Sequence, residues 1–371
     1  MKIFDTYTLG NTNLTLKNHI LRSATWEGIA TPEGHMTEEQ YEVYRKLAEG
    51  QVGLICTGYA RITEDGEPNQ GMMGIYDDCF VEDYKKLTDM VHSYGSKIMM
   101  QIAYGSTKTT YRVGERTIFA PGNVTDKATG VTGQPMAADD IQMIIECYKK
   151  AAVRVKKSGF DAIELHAGHS YLLNQFLSPY YNNRQDAYGK TLSGRERFVD
   201  EVYSAVREAV GEDFPILIKI TCSEFFEGGL EFADVLQICR HLEEIGINAI
   251  EVSGNVHGKA EKMTGQEFDG YKIEKNGYFI EYAQKIADEV KIPVILTGGN
   301  RAPETMEKQM ENSGIAMFGF SRPLLCEPGL VKRWIDGDSK PARCVHCSKC
   351  RTPEGNYCTI FKTGKKCSMA Q

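Results

Sequence analysis

Eight short apolar runs, separated by stretches of helical periodicity, limit the folds open to this chain more than any other feature. In order they are HILRSATW (19–26), VGLICTGYA (52–60), KIMMQIAYG (97–105), FDAIELHAG (160–168), PILIKIT (215–221), INAIEVSGN (247–255), PVILTGGN (293–300) and IAMFGFSRP (315–323). They are continuously apolar rather than alternating, as strands of a parallel sheet covered by helices must be. Between them the period changes. In DDIQMIIECYKKAAVRVKKSG (139–159), Ile141, Ile144, Ile145 and Tyr148 share one face and the lysines take another. GRERFVDEVYSAVREAVG (194–211) reads the same way. Eight βα repeats predict an α/β protein with a single closed (β/α)8 TIM barrel, not an open doubly wound sheet. Ahead of them, YTLGNTNLTLKNH reads as a hairpin with Gly10 and Asn11 near its turn, placed to close the barrel floor. The Gly- and Thr-rich stretch 105–138 has no clear period and is expected to loop over the top. The domain reading is a barrel over 1–336 and a Cys-rich extension over 337–371.

A chain of 371 residues, 42% hydrophobic and 25% charged, is long enough to bury one large core. Its net charge of −7 gives nucleic-acid binding no electrostatic support. No stretch approaches the ~20 apolar residues of a membrane helix. The opening MKIFDTYTLG has neither the basic nor the apolar region of a secretory leader. A cytoplasmic protein with neither nucleic-acid nor membrane partners is therefore expected. Of 11 cysteines, Cys56, Cys79, Cys147, Cys222, Cys239 and Cys326 are dispersed and read as small buried hydrophobes.

In such barrels chemistry gathers where strands become loops. The residues at those ends include Thr25, Gly58, Gln101, His166, His169, Tyr171, Lys219, Gly298, Gly299 and Arg322. LTGGNR and GFSRP close the seventh and eighth runs. Their glycines let backbone N–H groups approach an anion, and Arg322 adds a cationic fork. This fold commonly builds phosphate sites from those two loops, so a phosphate of a cofactor or substrate is expected there. Tight turns and a surface ion pair are the plainer explanation, but would not account for both loops together. GxGxxG is absent, so no Rossmann unit is predicted. Gln101 and Lys219 would each need a partner if merely buried. Together they suit a flat heterocycle with several carbonyls. His166, His169 and Tyr171, in ELHAGHSYLLNQF, allow packing, a metal shared with Glu164, or two donors on one substrate oxygen with Tyr171 delivering a proton. The last accounts for all three.

With these residues placed, the sequence resembles the Old Yellow Enzyme family of FMN-dependent ene-reductases over about residues 3–336. ELHAGHSYLLNQFLSPYYNNRQDAYGKTLSGRERF (164–198) carries most of the likeness, with LKNHILRSATWEG, LICTGYA, MQIAYG, TGGNR and FGFSRP. The resemblance implies that Ser23, Ala24, Thr25, Gly58, Gln101 and Lys219 contact the flavin ring. It assigns the flavin phosphate to Gly298, Gly299, Ser321 and Arg322. It further implies that NADH or NADPH reduces FMN, which then passes hydride to an activated alkene such as an enone, enal or enoyl ester. His166 and His169 would grip the carbonyl oxygen, and Tyr171 would protonate the α-carbon. Lys219 stands where arginine is commoner and Gly194 where asparagine is, so a point charge replaces a fork.

CVHCSKCRTPEGNYC sets Cys344, Cys347, Cys350 and Cys358 in the pattern C-x2-C-x2-C-x7-C, a spacing used by iron–sulfur clusters and structural zinc. It resembles the cluster-bearing branch typified by 2,4-dienoyl-CoA reductase, with tighter spacing and no further flavin or nucleotide domain expected. An iron–sulfur cluster, zinc and an unmetallated redox-sensitive tail all stay open, with His346 and Cys367 as spare ligands. Rival readings are a flavin-free aldolase or isomerase, a flavin-dependent dehydrogenase or demethylase of the same family, and a non-catalytic flavin or metal redox sensor. A homo-oligomer is also left open.

Overall fold

The computed structural model describes residues 1–254 and 277–361; Asn255, which ends the sixth run, and Cys367 lie outside them. All eight predicted strands form: β1 (Ile20–Arg22), β2 (Leu54–Cys56), β3 (Lys97–Ala103), β4 (Ala162–Ala167), β5 (Ile216–Thr221), β6 (Ala249–Ser253), β7 (Val294–Thr297) and β8 (Met317–Phe320). Each pairs in parallel with its neighbour in the chain, and β8 returns to β1, so the barrel closes. Closure leaves no unpaired strand edge. Helices outside it include α1 (Glu38–Glu49), α2 (Val81–Ser93), α3 (Ala138–Lys157), α4 (Leu192–Val210), α5 (Phe232–Ile245), α6 (Ile280–Ala287), α7 (Pro303–Ser313) and α8 (Leu330–Ile335). Ile141, Ile144, Ile145 and Tyr148 are buried on α3 as their spacing predicts. At the start of α1, Thr37 and Gln40 form a reciprocal capping box that satisfies two otherwise orphaned N–H groups.

The hairpin ahead of β1 is antiparallel, pairing Tyr7 with Leu16 and Thr8 with Thr15. Its Leu9, Leu14 and Leu16 pack with one buried residue or more from every strand: Leu21, Leu54, Cys56, Met99, Ala162, Leu217, Ala249, Ile295 and Met317. The barrel floor is thus an apolar plug, and chemistry is confined to the other end.

Two expectations need correction. The stretch after β3 is not a bare loop. It carries a short parallel pair, Phe119–Ala120 with Gln134–Pro135, and buries Thr107, Lys108 and Asp126. Asp126 accepts from the backbone N–H groups of Ala128 and Thr129 and from the Tyr181 hydroxyl, so polar side chains order it without any period. Nor are the dispersed cysteines uniformly buried, because Cys79 is exposed and Cys147 half-buried.

Candidate active site

Successive inward-facing residues of a strand are two apart, so each strand that plugs the floor also supplies the layers above it. Two residues above Leu21, Leu54, Met99, Ala162, Leu217, Ala249, Ile295 and Met317 come Ser23, Cys56 (which also touches the plug), Gln101, Glu164, Lys219, Glu251, Thr297 and Gly319. This layer is polar and shut off from water. Lys219 is 2.7 Å from Glu251 and donates to Ser23 Oγ at 2.6 Å, and Ser23 donates to Glu251 at 2.6 Å. Gln101 donates to Glu164 at 2.6 Å, and the Cys56 thiol approaches the same carboxyl at 3.5 Å. The partners that burial demands for Gln101 and Lys219 are therefore two glutamates: Glu164, weighed in the sequence only as a metal ligand, and Glu251, missed because a lone Glu inside an apolar run looks like noise.

Those carboxyls diverge. Burial and the neighbouring Glu251 push Glu164 well above the usual carboxylate range, while Lys219 and the hydrogen bonds from Glu164 and Ser23 outweigh burial and hold Glu251 below it. Of the two, Glu251 is the carboxyl whose charged form is favoured, paired with Lys219. Among the described residues Glu164 is not arranged with the two histidines to hold a metal ion.

The next layer holds His166, Thr221 and Ser253, and the loop after β4 adds His169 and Tyr171. His169 (φ +59°) and Ser170 (φ +62°) are consecutive non-glycine residues in the left-handed region, a conformation that persists only where neighbours enforce it. Thr221 Oγ1 accepts from the His169 N–H at 2.8 Å, and Asn174 accepts from the Ser170 N–H at 2.7 Å. Gln175 donates to the Ser170 carbonyl. The turn sets the two imidazoles edge to face, with centroids 5.2 Å apart. His169 Nε2 lies 3.1 Å from Ser253 Oγ. Tyr171 packs 4.8 Å from His166 and 5.4 Å from Tyr59, ring centre to ring centre. Burial raises the Tyr171 phenol, and Tyr59, Arg351 and Asn69 draw it back.

Gly58 has a structural reason as well: a Cβ there would lie 2.4 Å from Glu27 Oε2 and 3.0 Å from the Thr25 carbonyl. Glu27 is buried between Arg22 and the Tyr44 hydroxyl, and burial lifts its carboxyl to about 7.

At the seventh and eighth strand ends, Gly298 (φ +125°) and Gly299 (φ +78°) take conformations that side chains resist, and a Cβ on either would press on Tyr278 or Phe279. Asn300 ties the two loops together through the carbonyls of Leu296 and Gly319. Thr25 donates to Ser321 Oγ at 2.7 Å, and Arg322 follows, held by Ser348 and Tyr278. Thr297 Oγ1 is buried with no hydrogen-bond partner among the described residues. A glycine cradle with serine and arginine beside it, an orphaned hydroxyl and a buried cation are donors that fit a phosphate-bearing, carbonyl-rich ring such as FMN.

The extension does not hang free. Its short hairpin, Arg351–Thr352 with Gly355–Asn356, docks on the loop after β1, where Asn356 bonds the backbone of Trp26 and Glu27. Cys344 and Cys358 pack with Cys326, so Cys326 belongs with the tail thiols rather than among the dispersed ones. Cys347 is exposed and Cys350 half-buried. Burial and thiol–thiol proximity push Cys326 up to about 12 and Cys350 to about 11. Among the described residues, no three His, Cys, Asp or Glu side chains are arranged to hold a metal ion.

The strand-end residues line the mouth of a closed (β/α)8 barrel. The chain belongs to the NADH:flavin oxidoreductase / NADH oxidase family, whose model matches residues 2–339. It is 32% identical to an NADH oxidase of Thermoanaerobacter brockii over 91% of this chain and 51% of that protein, and so spans about half that relative's length. An NADPH dehydrogenase of Bacillus pumilus is 31% identical over 83% of this chain and 88% of its own. The Old Yellow Enzyme homologue of Zymomonas mobilis shares the fold, with a TM-score of 0.79 at 21% identity over 95% of this chain and 98% of that one. No helix among the described residues is long and apolar enough to cross a membrane.

Proposed function

We propose that this chain is an FMN-dependent ene-reductase that saturates the C=C bond of α,β-unsaturated carbonyl compounds at the expense of NADH or NADPH. When bound, FMN would supply the hydride-transfer chemistry between the nicotinamide and the alkene. Ser23, Ala24, Thr25, Gly58, Gln101 and Lys219 would hold the ring, and Gly298, Gly299, Ser321 and Arg322 its phosphate. Lys219, fixed by Glu251 and Ser23, would offer a bound ring a preorganised positive charge. His166 and His169 donate to the acceptor's carbonyl oxygen, which takes on negative charge as the β-carbon is reduced. Tyr171 gives its phenolic proton to the α-carbon, and solvent restores it.

The observation that carries this reading is the cluster of His166, at the end of β4, with His169 and Tyr171 on the clamped turn that follows, above a buried cation. The test is anaerobic reduction of the flavin-loaded protein by NADH or NADPH, followed by mixing with a panel of enones and their saturated ketones. Reoxidation by enones alone, with the saturated ketone as product, is expected. A yellow protein that no enone reoxidises contradicts it and points to a sensor.

A further inference from the structure

The Cys-rich extension approaches Tyr171 through Arg351. Arg351 lies over the Trp26 indole, 4.9 Å from its centroid, and lines a cavity of about 400 Å³ with Trp26, Asn69, Gln70 and Tyr111. Its guanidinium donates to Asn69 Oδ1 at 2.7 Å. The amide of Asn69 donates to the Tyr59 hydroxyl at 2.6 Å. The Tyr59 ring packs against that of Tyr171, centroids 5.4 Å apart, and both phenols are buried. Both of these hydrogen bonds run the same way, from the cation at the surface towards the paired phenols inside.

We propose that Arg351, Asn69 and Tyr59 form a polarising relay that makes Tyr171 a stronger acid, so that the extension is a working part of the active site. The inference rests on the proton-donor reading of Tyr171 given above. Aligned hydrogen bonds reinforce one another in a low-dielectric site, and a cation at the donor end favours the phenolate at the other. Burial alone would leave Tyr171 a poor acid; the relay opposes that rise. The titratable groups facing Tyr171 are Tyr59 and His166, and Arg351 is the charge beyond Asn69. Arg351, Asn69 and Tyr59 are positioning residues: the transferred proton is Tyr171's own, it goes to the substrate carbon, and water replaces it. The tail's docking explains how a distant segment keeps its place. Gly355 (φ +119°) lies so close to Glu27 and Ile29 that a Cβ would meet Ile29 at 2.5 Å.

The test compares flavin-loaded wild type with Arg351→Gln, Arg351→Lys and Asn69→Ala, measuring both half-reactions by rapid mixing across a pH series. Arg351→Gln is expected to slow reoxidation by an enone about three- to tenfold. It should enlarge the solvent deuterium isotope effect on that step and move its alkaline limb to higher pH. Reduction by the nicotinamide should change by less than about twofold. Arg351→Lys, which keeps the charge, should recover most of the rate. Asn69→Ala should match Arg351→Gln, and the double variant should be no slower than either, because both cut one chain. Equal slowing of both half-reactions, strictly additive losses, or an unchanged isotope effect and pH profile would overturn the relay. If wild type itself is not reoxidised by enones, the ene-reductase reading fails instead.

Discussion

Replacing Tyr171 by phenylalanine is expected to slow reoxidation by an enone ~10²–10⁴-fold, the span a positioned general acid contributes. Reduction by NADH or NADPH should be nearly unaffected, because that step needs no proton on a substrate carbon. The asymmetry is the informative part. Tyr171 is buried against Tyr59 and His166, and losing a hydroxyl from that cluster costs little packing. Phenylalanine therefore removes the acid and leaves the cavity. Rapid-mixing traces of flavin absorbance separate the two half-reactions directly. Equal loss in both would mean that Tyr171 shapes the site rather than supplying a proton.

Lys219→Met is the second large effect, and it falls on stability. The ammonium is buried beside two buried carboxyls, and its removal leaves Glu251 charged with only Ser23 and Glu164 to stabilise it. Breaking a buried ion pair from one side costs about 3–5 kcal/mol. The sign with pH follows from the two states of Glu251. In wild type its folded pKa lies below the ordinary value, so its contribution is present above the unfolded pKa and is lost as pH falls through the folded one. Without Lys219, burial drives that pKa up instead, so the variant gains stability as pH falls from neutral towards the unfolded pKa. The deficit should therefore be largest at neutral pH and shrink below about pH 5, read from urea denaturation at both. Lys219→Met combined with Glu251→Gln should recover part of the loss, since no uncompensated charge remains. A deficit that does not change with pH would assign the loss to packing.

Most of the barrel was legible in the sequence because its signal is periodic. Eight apolar runs each became a strand, and the floor hairpin followed from Gly10 and Asn11. The stretch after β3 was not legible, because Asp126 organises it through hydrogen bonds that leave no period. The strand-end residues were found for the same reason the strands were. Their supports were not. Glu251 and Ser253 sit inside IEVSG, and Tyr59, Asn69 and Arg351 come from three separate segments that only the closed fold brings together. The αL turn at His169 and Ser170 has no glycine at either position, only Gly168 just before them, with Asn174 and Gln175 downstream to clamp it. Cys326 joined the tail thiols through packing, which spacing cannot show.

The measurement closest to the central claim is an absorbance titration of oxidised, flavin-loaded protein with a para-substituted phenol. A reducible ring in the barrel mouth with His166 and His169 on its open side predicts a long-wavelength charge-transfer band. That band should be lost when both histidines are replaced by alanine while the flavin stays bound. A chain that takes up no flavin, or a band that survives the double replacement unchanged, would contradict it.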